Sequence, residues 1–319
     1  MRIKNNVAIF LWLYHTDLAI EFYDLLKNLS GISIYLGLCK DNDNVSVESL
    51  FQTLPNLVNI EHYDNEGADI LSFLRQLQNI SDQDHKYFIK IHSKKSEWGY
   101  NNRCNWRAML LDSLLGDQSI LNNNISYIQD NNDGSLGCGS LIYHKNESVH
   151  KNQIRHISNI CKLRPDCKNK FVGGNMFMGD TTLYQSVLLP ELETISDLLG
   201  NEKGKVNEIA QGTYCHAMER IFGYIGCYKG LENCQIPTIT LKIFDTKLTD
   251  QNITELNFRI MYNAEIYCIE QPSMFGQVSQ QHDKSLQILW QTDSGKILAD
   301  YTKIDTDKYV NNLYINNGV

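Results

Sequence analysis

Basic and polar residues follow directly after an apolar run, at His92-Ser93-Lys94-Lys95. The run itself, residues 87–91, combines aromatic and β-branched side chains and is typical of a strand inside a sheet. In open α/β sheets, ligands bind outside the carboxyl ends of the strands, and cationic side chains there favour phosphate groups. We therefore predict that His92, Lys94 and Lys95 lie at a site for a phosphorylated ligand. The alternative is a solvated basic turn.

A second candidate segment runs from Asn65 to Asp69 and contains turn-forming residues. Gly67 would let the backbone approach a nucleoside closely, and Asp69 is suited to binding a ribose hydroxyl. The alternative is a simple turn in which Asp69 caps the next helix. Tyr14, which follows the first apolar run, could stack on a nucleoside base or equally belong to the core.

A third candidate pair, His216 and Glu219, lies in an amphipathic segment at residues 212–222. Residues three apart share one face of a helix, so these two side chains could act on a single ligand. The alternative is that Glu219 forms a structural ion pair with Arg220.

Two further features could contribute to a ligand site. Arg107, near a predicted helix start, could reach a phosphate or could be a surface residue paired with Asp112. Gly173-Gly174-Asn175 falls in a predicted strand, where glycine indicates the close approach of another backbone or of a sugar.

Strand-like and helix-like segments alternate along the first part of the chain. This order predicts an α/β fold with a mostly parallel, doubly wound sheet. The predicted strands are residues 7–13, 32–38, 56–63, 87–91, 134–143 and 171–179, and the predicted helices are residues 18–29 (capped by Thr16-Asp17), 47–54, 68–77, 106–115, 119–129, 183–199 (broken at Pro190) and 212–222.

The character of the sequence changes near residue 235. Beyond it, apolar and polar residues alternate with a period of two, which predicts a small C-terminal antiparallel β domain. We expect its strands at residues 240–244, 258–262, 285–290 and 309–315, and we divide the chain into domains at residues 1–235 and 236–319.

Composition excludes several classes of protein. The 319 residues carry a formal net charge of -8, whereas a protein that binds nucleic acid over its whole surface is usually basic. The nine cysteines include no CxxC pair, which favours reduced thiols over a disulfide framework or zinc site. The apolar run at residues 7–14 is too short to cross a bilayer. We expect a cytoplasmic protein that makes at most peripheral contact with a membrane.

Several short segments, taken in order, resemble the rhamnan synthesis protein F family. They are the Asn65-x-Gly67-x-Asp69 turn, the Lys90-x-His92-Ser93-Lys94-Lys95 strand end, Trp106-Arg107, Leu114-Leu115-Gly116, Gly174-Asn175-Met176-Phe177 and the segment 212–220. The resemblance covers about residues 7–225. It implies a GT-A-like, Rossmann-type fold and a glycosyltransferase that uses a nucleotide sugar.

The resemblance also implies roles for the candidate residues. The donor would be a UDP- or dTDP-sugar, with rhamnose as one option, and the acceptor a growing polysaccharide or lipid-linked glycan. The donor-binding residues would be Tyr14, His15, Asn65, Gly67, Asp69, His92, Lys94, Lys95 and Arg107, the sugar or acceptor residues Gly174, Asn175 and Met176, and the catalytic residues Glu219, His216 and His92.

The chain departs from the expected pattern at two positions. The strand end at His92 lacks the Asp-x-Asp metal motif of many GT-A enzymes, and Gln211 stands where the family usually has an aspartate. Lysine and histidine could therefore contact the diphosphate directly, or His92 could be one ligand of a divalent cation, Mg²⁺ or Mn²⁺. Gln211 raises the alternative of a non-catalytic glycan-binding or assembly subunit. Another phosphate-handling α/β enzyme is a further rival, although the chain has no glycine-rich P-loop.

Overall fold

The computed structural model describes most of the chain up to residue 233 and four strands beyond it. Its described ranges are residues 7–82, 84–95, 107, 110–111, 113–137, 142–144, 149–163, 170–202, 212–233, 239–244, 264–268, 285–291 and 297–305. The described residues belong to two compact units, and each unit is described by itself. The second unit contains Lys95, Arg107 and the strands after residue 235, and the first unit contains the other described residues.

The first unit is built on a seven-stranded sheet with the order β3-β2-β1-β4-β8-β5-β9. β1 to β4 are mutually parallel, β8 runs antiparallel to both β4 and β5, and β5 pairs in parallel with β9. Two further strands, β6 and β7, form an antiparallel pair. The strands are β1 Val7–Leu13, β2 Ile32–Cys39, β3 Leu57–Tyr63, β4 Tyr87–His92, β5 Ser135–Gly137, β6 Ile142–His144, β7 Lys170–Val172, β8 Phe177–Asp180 and β9 Leu231–Asn233. The prediction of a mostly parallel α/β sheet is confirmed.

Eight α-helices of this unit are described from end to end, and residues 110–111 and 113–115 are helical as well. They are α1 Ala19–Leu26, α2 Val45–Phe51, α3 Ala68–Gln78, α4 Gln118–Asn131, α5 Lys151–Ile160, α6 Thr181–Leu188, α7 Leu192–Gly200 and α8 Tyr214–Gly226. A 3-10 turn containing Pro190 separates α6 from α7, as the sequence predicts. No helix in these described ranges is both long and apolar enough to cross a membrane.

Aromatic rings form the centre of the core beside β4. Phe73 of α3 lies 5.2 Å from the ring of Phe88 on β4 and 5.3 Å from that of Phe222 on α8. Phe10 of β1 and Phe177 of β8 extend this cluster along the sheet. Several of these pairs meet edge-on, an arrangement that stabilises a core beyond its buried area, and together they fix α3 and α8 against the central strands.

The start of the first helix differs from the prediction. A 3-10 turn, Thr16–Leu18, precedes α1, and the Leu18 N–H donates to the His15 carbonyl at 3.1 Å. Thr16 and Asp17 lie inside this turn, and neither caps α1 through its side chain. The prediction of a Thr16-Asp17 cap was wrong because the tighter turn already satisfies that backbone.

Each of the two predicted glycine-bearing strands is in fact two strands. The first divides into β5 in the main sheet and β6 in the two-stranded sheet. The second divides into β7 and β8, separated by a turn in which Gly174 and Asn175 have φ of 87° and 57°. An extended strand cannot accommodate positive φ, so Gly173-Gly174-Asn175 forms a turn and not the strand interior that we expected. Helix α5 and strand β9 were not predicted from the sequence.

The second unit contains a four-stranded sheet with the order β11-β10-β12-β13. Its strands are β10 Ile239–Phe244, β11 Ala264–Cys268, β12 Ser285–Gln291 and β13 Ile297–Asp305. Two pairings are antiparallel, but β10 and β11 are parallel, so the described strands form a mixed sheet where we expected an antiparallel one. The predicted strands at 258–262 and 309–315 lie outside the described residues, and the domain boundary stays a prediction.

Candidate functional site

The strand order places the carboxyl ends of β1 and β4 side by side at a topological switch point. From β1 the chain proceeds to β2 and β3 on one side, and then returns to β4 on the other. Ser93, just beyond β4, donates its N–H to the Trp12 carbonyl at 2.9 Å, and its hydroxyl accepts from the His15 N–H at 2.8 Å. Switch points of this kind are where open α/β sheets bind ligands.

The antiparallel strand β8 brings a third segment to this point. Phe177, near the start of β8, pairs with Lys90 of β4. Asn175 lies two residues before β8, and it therefore reaches the carboxyl end of β4 from the opposite chain direction.

Lys90 is a buried residue of strand β4 and lies at the centre of this site. It is 1% exposed, although lysine is rarely buried without a partner. Its Nζ donates to the Asp69 carboxylate and, at 3.1 Å, to the Asn175 backbone carbonyl. The ammonium also lies 5.6 Å from the centre of the Phe73 ring. Burial lowers the pKa of Lys90, and the negative charge of Asp69 opposes that shift.

Asp69, in the first turn of α3, is the common partner of the surrounding groups. Its Oδ2 accepts from Lys90 and, at 2.7 Å, from the Asn175 side-chain amide. Burial alone would raise the pKa of Asp69, but electrostatic interactions with His92 and Lys90 outweigh burial, and the pKa lies below its ordinary value. Asp69 does not cap α3, whose N-cap residue is Gly67 and has no side-chain cap hydrogen bond. The alternative role as a helix cap was therefore wrong.

His92 ends β4 on the same face as Lys90. Its Nδ1 lies 3.4 Å from Asp69 Oδ2, is buried, and has no hydrogen-bond partner. Burial lowers the pKa of His92 to about 3, against the opposing effect of Asp69, so the ring is neutral at pH 7. Lys94 follows two residues after His92, and its charge acts electrostatically on Asp69, Lys90 and His92.

Glu219 of α8 fixes the turn that carries Asn175. Its Oε1 accepts from the Gly174 N–H at 2.8 Å, and its Oε2 accepts from Arg220 at 3.0 Å. Arg220 in turn lies 4.7 Å from the centre of the Phe171 ring. The ion pair that we considered as an alternative is therefore present, and Glu219 also raises the pKa of Lys90 electrostatically. A catalytic role for Glu219 stays a prediction.

His216 lies at the start of the same helix and contacts a second histidine. Thr213 caps α8, and its hydroxyl is 2.7 Å from His216 Nδ1. The His216 ring stacks on His150 with a centroid distance of 4.9 Å, and the Thr213 N–H donates to His150 Nδ1 at 3.0 Å. Lys90, Asp69, Asn175 and His92 are called the Lys90 group below. The described contacts of His216 do not join it to the Lys90 group.

The Asn65–Asp69 segment uses its glycine for internal packing. Gly67 has φ of 63°, and a Cβ added there would lie 3.0 Å from the Cβ atoms of Leu199 and Leu71. Its N–H donates to the Glu202 carbonyl at 3.0 Å. Gly67 therefore permits the close packing of α7 on this turn, and any contact of Gly67 with a nucleoside stays a prediction.

Of the other predicted donor residues, Tyr14 and Lys95 lie nearer the surface and Arg107 is buried. Tyr14 is 36% exposed and so is not part of the core, and its hydroxyl is 3.4 Å from the Asn65 side-chain amide. Lys95 is half-buried. Arg107 is helical and 4% exposed, so the alternative of a surface arginine was wrong. Met176 is fully buried.

The family model for rhamnan synthesis protein F matches residues 1–231. The chain belongs to this family. Curated relatives include the uncharacterized protein WxcX of Xanthomonas campestris pv. campestris, in two strains, each 26% identical over 178 residues. The match covers 54% of this chain and 24% of each relative, so the chain matches only about a quarter of their length. A crystal structure of S. aureus TarS 1-349 aligns with a TM-score of 0.38 and 10% identity, over 69% of this chain and 56% of that one.

In this member of the rhamnan synthesis protein F family, the matched region includes the whole Lys90 group. The structure brings together His92, Asp69 and Asn175, which the sequence singled out, but it joins them through Lys90, which we had not placed among the site residues. The available signal was a lysine inside an apolar strand, two residues before His92 and thus on the same face. No group of three or more His, Cys, Asp or Glu residues in the described part of the chain could hold a metal ion.

Proposed function

We propose that this chain is a glycosyltransferase that moves a sugar, with rhamnose as one option, from a UDP- or dTDP-sugar onto a growing polysaccharide or glycan. The observation that carries the proposal is the convergence of Lys90, Asp69, Asn175 and His92 at the β1/β4 switch point, with Lys94 beside them. Membership in a family named for rhamnan synthesis supports the same reaction class.

The proposed donor position follows from charge and topology. A GT-A-like enzyme must neutralise the leaving diphosphate, and the cationic Lys94 can meet charge as it grows on the departing phosphate. Lys95 and Arg107 are proposed as further donor contacts, with Tyr14, His15 and Asn65 on the nucleoside side. His216 and Glu219 are proposed to act on the acceptor. A divalent cation, with His92 as one ligand, is the other way in which the leaving charge could be met.

The proposed setting is the cytoplasm, with at most peripheral contact with a membrane that carries a lipid-linked acceptor. Four cysteines of the described part, Cys39, Cys161, Cys215 and Cys227, are free thiols, which suits a reducing compartment.

One observation favours a second candidate, a non-catalytic glycan-binding or assembly subunit. Glu219 is proposed to act on the acceptor as a general base, yet both of its carboxylate oxygens already accept hydrogen bonds, from Gly174 and from Arg220. A subunit that keeps the fold without the reaction would have no use for a free base at this position.

A binding and turnover experiment separates the two candidates. We expect UDP or dTDP at about a hundredfold its dissociation constant to stabilise the protein by about 2.7 kcal/mol, and the matching nucleotide sugar to release nucleoside diphosphate when a glycan acceptor is added. Binding of glycan without nucleotide binding or turnover would support the subunit and refute the enzyme.

A further inference from the structure

We infer that Asn175 and His92 form a subsite for a hydroxyl group of the donor sugar, and that Lys90 and Asp69 hold this subsite in place without touching the ligand. The inference rests on the proposed function and deepens it. It moves His92 from the diphosphate, where we first predicted it, to the sugar. It also assigns the recognition to one atom of Asn175, the side-chain oxygen Oδ1.

The hydrogen bonds around Asn175 fix which way its amide faces. Its Nδ2 donates to Asp69 Oδ2 at 2.7 Å. The reversed amide would place two oxygens at that separation, one of them charged, so the observed orientation is the stable one. Lys90 holds the backbone of the same residue, since its Nζ donates to the Asn175 carbonyl at 3.1 Å. Oδ1 therefore points away from the carboxylate, in a direction set by the ion pair.

Two buried polar atoms beside this carboxylate have no hydrogen-bond partner, Asn175 Oδ1 and His92 Nδ1. Their residues are 5% and 7% exposed, and both side chains lie against the same atom, Asp69 Oδ2. An unpaired buried polar group is costly, so native structures rarely leave one without a purpose. Because the two atoms lie at the switch point, a bound ligand is the natural source of their missing partners.

The chemistry of the two atoms selects a hydroxyl over a phosphate. An amide oxygen can only accept a hydrogen bond, and ionised phosphate oxygens also only accept. A phosphate therefore cannot supply the hydrogen-bond donor that Asn175 Oδ1 lacks. The adjacent Asp69 carboxylate is already matched by Lys90, which leaves no net positive charge from that pair to attract an anion. A sugar hydroxyl can donate to Asn175 Oδ1. An imidazole nitrogen such as His92 Nδ1 can in turn accept from or donate to a hydroxyl, according to its tautomer.

The test compares a nucleoside diphosphate with its sugar conjugates. Asn175→Gly removes the amide and retains the backbone, because φ of 57° suits glycine. By calorimetry we expect this variant to bind UDP and dTDP within about twofold of the wild-type protein. It should bind the preferred conjugate among UDP-glucose, UDP-N-acetylglucosamine and dTDP-rhamnose about tenfold more weakly, a loss of about 1.4 kcal/mol. Lys94→Ala should instead weaken the bare diphosphates and their sugar conjugates alike, because both contain the diphosphate.

The outcomes separate this inference from the proposed function. If Asn175→Gly weakens the diphosphate and the conjugate equally, or weakens neither, the subsite is refuted while nucleotide binding by the wild-type protein still supports the enzyme. No change in either affinity is the result expected if a buried water, and not the ligand, donates a hydrogen bond to Asn175 Oδ1. If the wild-type protein binds none of the probes, both proposals are refuted. Should Asn175→Gly not fold, His92→Gln must show the same selective loss for the conjugate.

Discussion

Replacing Lys90 by methionine tests whether the buried ion pair holds the site together. Methionine keeps an unbranched apolar stem beside Phe73 but removes the donor to Asp69 and to the Asn175 carbonyl. Removing one partner of a buried pair costs about 3 to 5 kcal/mol, because the other charge stays buried without compensation. The Asp69 side chain retains 19% exposure, so we expect a loss at the lower end, about 3 kcal/mol in the free energy of unfolding.

The assay is urea denaturation at pH 7, with a matched surface variant. Lys40→Met removes a lysine whose ion pair with Asp64 is exposed, with side-chain exposures of 52% and 65%. Exposed pairs of this kind contribute about 0 to 1 kcal/mol, so the control should lose no more than that. The double variant Lys90→Met/Asp69→Asn removes both charges and should recover part of the loss. If Lys90→Met costs no more than Lys40→Met, the pair does not stabilise the fold, and the reasoning from burial is wrong.

Three further predictions follow from the same region. Lys94→Ala should lower turnover by about tenfold to a hundredfold and affect nucleoside binding less, as measured by steady-state kinetics with the donor; equal rates would refute a role at the diphosphate. Burial lowers the pKa of His92 to about 3 and that of His150 to about 4, so the unfolded chain binds protons there that the folded chain does not. The free energy of unfolding should therefore rise with pH from about 4 to 6.5, by up to about 1.4 kcal/mol per pH unit for each histidine. In urea denaturation at several pH values, His92→Gln should halve this slope, and an unchanged slope would contradict the prediction. Gly67→Ala should destabilise the protein more than Gly31→Ala in thermal unfolding. Both glycines have positive φ, but only Gly67 has neighbours within 4 Å of an added Cβ. Equal losses would refute the packing argument.

The sequence predicted the centre of the parallel sheet well because β1 and β2 are almost entirely apolar runs. Residues 7–13 are buried at every position, so no side-chain alternation obscured them. The break at Pro190 and the helix around Glu219 were equally clear, since proline and helical spacing are local signals. The strand end at His92 could be located for the same reason.

The sequence could not predict features that depend on long-range partners. The turn at Gly174 and Asn175 interrupts a run of apolar and glycine residues, and Glu219, 45 positions away from Gly174, holds it from another helix. Asp69 and Asn175 are 106 residues apart, and only the antiparallel insertion of β8 beside β4 brings them together. Local spacing contains no information on either pairing, which is why Lys90 was read as part of a motif and not as its centre.

The turn before β8 has a consequence for how this scaffold can change. Asn175 is held from a strand by Lys90, from a helix by Asp69, and through Gly174 from a second helix by Glu219. Because these three anchors belong to regular elements, the position of Asn175 does not depend on the conformation of surface loops. Loops around the switch point can therefore be exchanged while Lys90, Asp69 and Asn175 stay in place. New specificities could be engineered on this fold by loop replacement alone, provided that the three anchors are left intact.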